Sequence, residues 1–151
     1  MSFESQIMPI RILPHGKGLP APSYATQGSS GLDLMAALEE PMEVAPMQRV
    51  VIPTGVAVAI PEGFEGQVRP RSGLAMKHGI SLVNTPGTID ADYRGEIKLI
   101  LINTGTAPFV IQRGDRVAQL VIAPVIRVQL QQVDHLDDTV RGAGGFGHSG
   151  S

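Results

Sequence analysis

The chain contains no cysteine. That absence removes disulfides, thiolate metal sites and cysteine nucleophiles together, and it fits a reducing cytoplasm. No apolar run approaches the roughly 20 residues that span a bilayer. The longest, Val117 to Val128, is interrupted by Gln119, Pro124 and Arg127. Met1 to Gln6 carries an acid, Glu4, where a signal peptide carries positive charge. Net charge is also small, since 12 Lys and Arg stand against 14 Asp and Glu, leaving −2. Such a surface offers no general field for nucleic acid or anionic lipid. The expectation is therefore a cytoplasmic protein with neither a nucleic-acid nor a membrane partner, in which any anionic ligand is met by a few placed cations. Metal-ligand spacing is missing too. His15, His78, His135 and His148 form no i, i+4 pair, and they read as ordinary surface or loop residues.

What the chain does have is glycine and proline, 18 and 12 of 151 residues. They are scattered without a period, between short β-branched runs, which suits many short strands joined by tight turns. Strands are expected over Ile7 to Leu13, Leu32 to Ala36, Arg49 to Ile52, Gly55 to Ile60, Gly66 to Arg69, Ile80 to Val83, Val110 to Ile111, Val117 to Ile122 and Val125 to Val133. Ser72 to Gly79 predicts one helix of about two turns, capped by Ser72 and ended by Gly79. Thr88 to Asp90 and Glu96 to Asn103 read as a hairpin around Ala91 to Gly95. Beyond Asp137 the chain is polar and Gly-rich and cannot bury itself. The fold expected is all-β, a closed barrel or jelly roll with at most one short helix. Residues 1–136 would form the domain and residues 137–151 a flexible arm.

Four segments look too specialised for core packing. Pro70-Arg71-Ser72-Gly73 sets an Arg, a hydroxyl and a Gly at a helix start, where outward N–H groups and the guanidinium can meet an anion. Asn84 to Gly95 gathers an amide, the carboxylates Asp90 and Asp92, and the Tyr93 phenol. Asp90, beside a strand end, can hold a water and take its proton. In Gly114-Asp115-Arg116-Val117-Ala118-Gln119, Gln119 interrupts an apolar strand and can face a ligand or solvent. Arg141 to Gly147 has the glycines of a phosphate loop without its Gly-Lys-[Ser/Thr]. There Arg141 can grip phosphate and Phe146 can stack on a base. Read singly, these segments are better explained as an N-cap beside a surface Arg, solvated turn carboxylates, an outward strand face and a disordered end.

Together, in this order and with Gly31-Leu32-Asp33-Leu34 ahead of them, the segments resemble the trimeric dUTPases (deoxyuridine triphosphate nucleotidohydrolases). The resemblance runs from about Ile10 to Gly150. It implies a jelly-roll-like β-barrel, a homotrimer with active sites shared between subunits, and Mg²⁺-assisted hydrolysis of dUTP to dUMP and pyrophosphate, which lowers dUTP and supplies dUMP for thymidylate synthesis. It implies Asp90 as the general base. Asn84 and the backbone around Thr88, Ile89 and Lys98 would read uracil, with Tyr93 under the deoxyribose. Arg71, Ser72, Gly73 and Gln119 would hold the phosphates, and Asp33 would act on the metal indirectly, through water. From the arm, Arg141 would reach the γ-phosphate, Phe146 would cover the uracil, and Ser149 would add a phosphate hydrogen bond.

Two rivals remain at this stage. The dCTP deaminases are similar in fold and hairpin, but they place a proton-shuttling Glu on the strand after the hairpin, where this chain has Ile100. A non-catalytic nucleotide-binding module would keep the arginines and could lose Asp90 or the arm, and this chain retains both.

Overall fold

The computed structural model describes residues 5–147. Its strands are β1 (Ile10–Ile12), β2 (Gly31–Met35), β3 (Met42–Val44), β4 (Arg49–Pro53), β5 (Val56–Val58), β6 (Phe64–Arg69), β7 (Ile80–Leu82), β8 (Gly87–Ile89), β9 (Lys98–Asn103), β10 (Phe109–Ile111) and β11 (Arg116–Pro124). One helix, α1 (Ser72–His78), and a 3-10 turn at Pro14–Gly16 complete the elements. The architecture is the all-β one expected, with one short helix.

Every ladder is antiparallel. The strands divide among a four-stranded sheet in the order β2-β11-β6-β8, a three-stranded sheet β4-β9-β7, and the pairs β1-β5 and β3-β10. These sheets enclose one core built from alternate residues of each strand: Leu34, Val44, Ile52, Val68, Leu82, Leu99, Leu101, Ile111 and Leu120 are all buried. Each such side chain contributes roughly 1.5–3 kcal/mol on leaving water. The buried Asn103 is fully used, donating from Nδ2 to Val44 O and Ala107 O and accepting at Oδ1 from Gly105 N. It pins β9 to β3 and to the turn that follows.

Several elements differ from the sequence reading. β1 is only three residues long, because Pro9 has no N–H to continue the ladder and its carbonyl instead accepts from Ala59 N. β3 carries no strong strand pattern and exists because β10 pairs with it. Val125 to Val133, read as a strand, has none in this chain. β11 stops at Pro124, and residues 125–143 are exposed throughout. The helix ends as expected at Gly79, whose φ of 68° is the left-handed cap conformation. Its N-cap, however, is Arg71 and not Ser72. The Arg71 carbonyl accepts from Ala75 N, which moves Ser72 into the first turn. Finally, β8 and β9 form no hairpin ladder, since β8 pairs with β6 while β9 is filled on both sides by β4 and β7.

Candidate active site

The parting of β8 from β9 makes the first half of the site. Because β8 is the edge of its sheet, main-chain groups on its outer side are left without a strand partner. A slot of about 340 Å³ opens there, lined by Asn84, Thr88, Ile89, Asp90, Tyr93, Lys98 and Ile100, with Val68, Leu82 and Leu99 at its apolar base. That volume falls in the usual range for small-molecule sites, roughly 300–1,000 Å³. An apolar floor beside free backbone donors and acceptors suits a flat, polar-edged heterocycle. The Tyr93 hydroxyl donates to Glu96 O at 2.8 Å. This fixes the ring across the loop, and a Cβ on Gly95 would overlap that hydroxyl.

Asp90 directly follows β8 and is exposed. The slot meets a second cavity of about 780 Å³ at Asp90, whose polar lining includes Glu62, Glu65, Asp92, Arg94 and Arg127.

The second half is built across the middle of the four-stranded sheet. Asp33, Gln119 and Arg69 fall in one cross-strand row on the face away from the core. A register shift between Arg116 and Ala118 lets Val117 and Ala118 both face inward and turns Arg116 out beside Asp33. Asp33 thus gathers two cations, Arg71 Nε at 3.6 Å and Arg116 Nη1 at 3.4 Å. Arg71 also donates to Arg116 O at 3.0 Å. Gln119 donates from Nε2 to Pro70 O at 2.9 Å, which ties β11 to the segment leading into α1. Ser72 and Gly73 stand exposed in the first turn next to this cluster. The result is a cation-rich cradle whose side chains are held before any ligand arrives.

The structure therefore brings Asn84, Thr88, Ile89, Asp90, Tyr93 and Lys98 together. It also groups Asp33, Arg71 and Gln119, beside Ser72 and Gly73. Among the described residues it does not join the two groups, and it brings no arm residue to either. Arg141 is exposed and bonds only locally, to Gly144 O at 2.7 Å, and the Phe146 side chain is fully exposed. Ser149 lies outside the described residues. Sequence reasoning missed Arg116, whose only signal was an Arg opening a strand after a Gly-Asp turn. It also missed Glu96, and it read His15 as an ordinary surface or loop residue. His15 is instead half-buried, with Nε2 2.5 Å from Glu96 Oε1.

Comparison with solved structures gives first the class of the fold. A variant of the dUTPase of Staphylococcus bacteriophage 80alpha with dUpNHpp superposes with a TM-score of 0.86 at 27% identity, covering 97% of this chain and 100% of that one. A variant dUTPase from phage phi11 of S. aureus, described for its coordination of a structural Mg(II) ion, gives a TM-score of 0.77 at 28% identity over 86% of this chain and 98% of that one. The dUTPase family model matches residues 17–150. The chain belongs to the dUTPase family, and its activity is that of a dUTP diphosphatase.

Proposed function

We propose that the chain converts dUTP to dUMP and pyrophosphate by in-line attack of water on the α-phosphorus, in active sites shared between the subunits of a homotrimer. The observation that carries this reading is the position of Asp90, an exposed carboxylate where a base-sized slot opens into a polar cavity. Uracil fills the slot, read by Asn84 and by the main chain around Thr88, Ile89 and Lys98. A cytosine would present the opposite donor–acceptor pattern and leave buried groups unpaired. Tyr93 packs under the deoxyribose and leaves no room for a 2′-hydroxyl. With the base held, the α-phosphate lies at the slot mouth beside Asp90. The Asp90 carboxylate orients a water and accepts its proton as the water oxygen bonds to the α-phosphorus. The bond from that phosphorus to the bridging oxygen breaks, and pyrophosphate leaves. General-base assistance of this kind contributes about 10²–10⁴-fold.

Arg71, Ser72, Gly73 and Gln119 hold the phosphate chain, but not in the same copy as the Asp90 they serve. From the strand register, Asp90 and Gln119 are separated by two strand spacings across the sheet and about four residues along it, roughly 16 Å. This separation within one chain supports a site in which different copies supply slot and cradle to a single nucleotide. The exposed apolar residues Ile126, Val128, Leu130, Leu136 and Val140 support assembly, since among the described residues nothing covers them. The arm, residues 137–151, closes the site, with Arg141 on the γ-phosphate, Phe146 over the uracil and Ser149 on a phosphate.

The donor set fits Mg²⁺ in an indirect role. Among the described residues no three carboxylates or histidines form a cage. Mg²⁺ on a nucleotide needs none, because phosphate oxygens and waters fill most of its positions. Asp33, held between two arginines, can accept a hydrogen bond from a coordinated water. The ion supplies charge neutralisation and a fixed shape to the triphosphate. A deaminase is disfavoured because Ile100, which lines the slot, cannot shuttle a proton.

Among the described residues no helix is long and apolar enough to cross a membrane. The lack of cysteine suits action in the cytoplasm, where the product dUMP would feed thymidylate synthesis. Incubation with dUTP, Mg²⁺ and ¹⁸O-water tests the chemistry. The label is expected in dUMP, and label in pyrophosphate would reject attack at the α-phosphorus.

A further inference from the structure

The slot is held from behind by a junction that the chemistry above does not use. Glu96 Oε1 accepts from Gly55 N at 2.9 Å and from His15 Nε2. The side chain of Glu96 is largely buried and that of His15 about one-third exposed. Around this carboxylate the chain is stapled tightly. Thr54 Oγ1 donates to Ile97 O at 2.6 Å, and Ile97 N donates to Val56 O at 2.9 Å. On the other side, Arg113 fixes the 3-10 turn that carries His15, donating to His15 O at 2.8 Å and Lys17 O at 2.9 Å. Gly16 and Gly55 lie in backbone contact, and a Cβ on either would overlap the other.

A continuous set of contacts therefore runs from Arg113 through His15 to the Glu96 carboxylate. It continues from the Glu96 carbonyl to the Tyr93 hydroxyl, which lines the slot. Glu96 sits at the foot of the loop whose other end is Asp90. Two donors on one carboxylate oxygen fix the Glu96 side chain better than the Gly55 amide alone. Removing the imidazole leaves that side chain, and the carbonyl Tyr93 depends on, with one anchor fewer.

We infer that His15 is a positioning residue for the nucleoside slot, setting the affinity for dUTP through Glu96 and Tyr93 without touching the substrate. The inference rests on the reading of the slot given above. It requires the donor to sit where the imidazole Nε2 sits. A Gln at this position offers an amide nitrogen at comparable reach, whereas Asn is too short.

The test is steady-state kinetics of the full chain with dUTP and Mg²⁺ for His15→Asn, His15→Gln and His15→Ala, with melting curves alongside. KM is expected to rise about three- to tenfold in His15→Asn and His15→Ala, the effect of losing one charge-assisted bond. kcat should stay within twofold of the wild type. His15→Gln should restore KM. The Asn and Gln comparison stands even where His15→Ala fails to fold, because both keep a polar side chain at a partly exposed position. Equal KM values for Asn, Gln and the wild type would overturn the inference alone, as would a fall in kcat with KM unchanged. A wild-type chain that makes no dUMP would overturn the reading of the slot as well.

Discussion

A Cβ placed on Gly31 would come within 2.6 Å of the Gln119 side-chain oxygen and 3.0 Å of its Cβ. Gly31 on β2 is therefore the space into which Gln119 on β11 folds while it donates to Pro70 O. A substitution here acts on the cation-rich cradle without removing any of its polar groups. Gly31→Ala is expected to displace Gln119, raise KM for dUTP severalfold and destabilise the fold by about 1–3 kcal/mol, the range for overpacking. Enzyme kinetics and urea denaturation measure the two effects. Unchanged values of both would mean that Gln119 is free to move aside.

Asp33→Asn separates charge from shape. Asn keeps the volume but no longer attracts Arg71 and Arg116, which stand 3.6 and 3.4 Å from its oxygens. Because both arginines are substantially exposed, the stability cost should stay below about 1 kcal/mol. kcat/KM should fall about 10-fold or more, as Arg71, proposed to hold the phosphates, loses its fixed place. A variant that loses stability but retains kcat/KM would assign Asp33 to the fold alone.

Truncation before Arg141 tests the arm. The described part, residues 141–147, adds almost no buried apolar surface to its own chain, so the change in stability should lie within about 0.5 kcal/mol. Activity should drop about a hundredfold, comparable to the effect of misplacing reacting groups by about 1 Å. Parallel losses of stability and turnover would contradict a lid.

The all-β class was readable because β-branched runs and turn residues alternate along the chain, and Gly79 marked the helix end by its left-handed conformation. The strand boundaries depended on pairing partners. β3 has a strand's geometry only because β10 lies beside it, and Val125 to Val133 has strand composition but no partner among the described residues. Local sequence cannot carry either fact. The candidate site was legible as motifs, since Asp90, Arg71 and Gln119 each stand in a recognisable segment. Its division into two clusters was not, because that division comes from β8 joining β6 instead of β9. Glu96 escaped notice because its partners, Gly55 and His15, lie 41 and 81 residues away.

On the proposed reading, the Asp90 slot and the Arg71 cradle that act on one dUTP come from different copies of the chain. Mixing two inactive variants, Asp90→Asn and Arg71→Ala, and reassembling them at equal concentration tests this directly. In a closed assembly with random exchange, about a quarter of the sites should receive an intact Asp90 from one copy and an intact Arg71 from another. dUTP hydrolysis should return to about that fraction of the wild-type rate. A mixture no more active than its two components would contradict the shared site and require both residues to serve the substrate from a single chain.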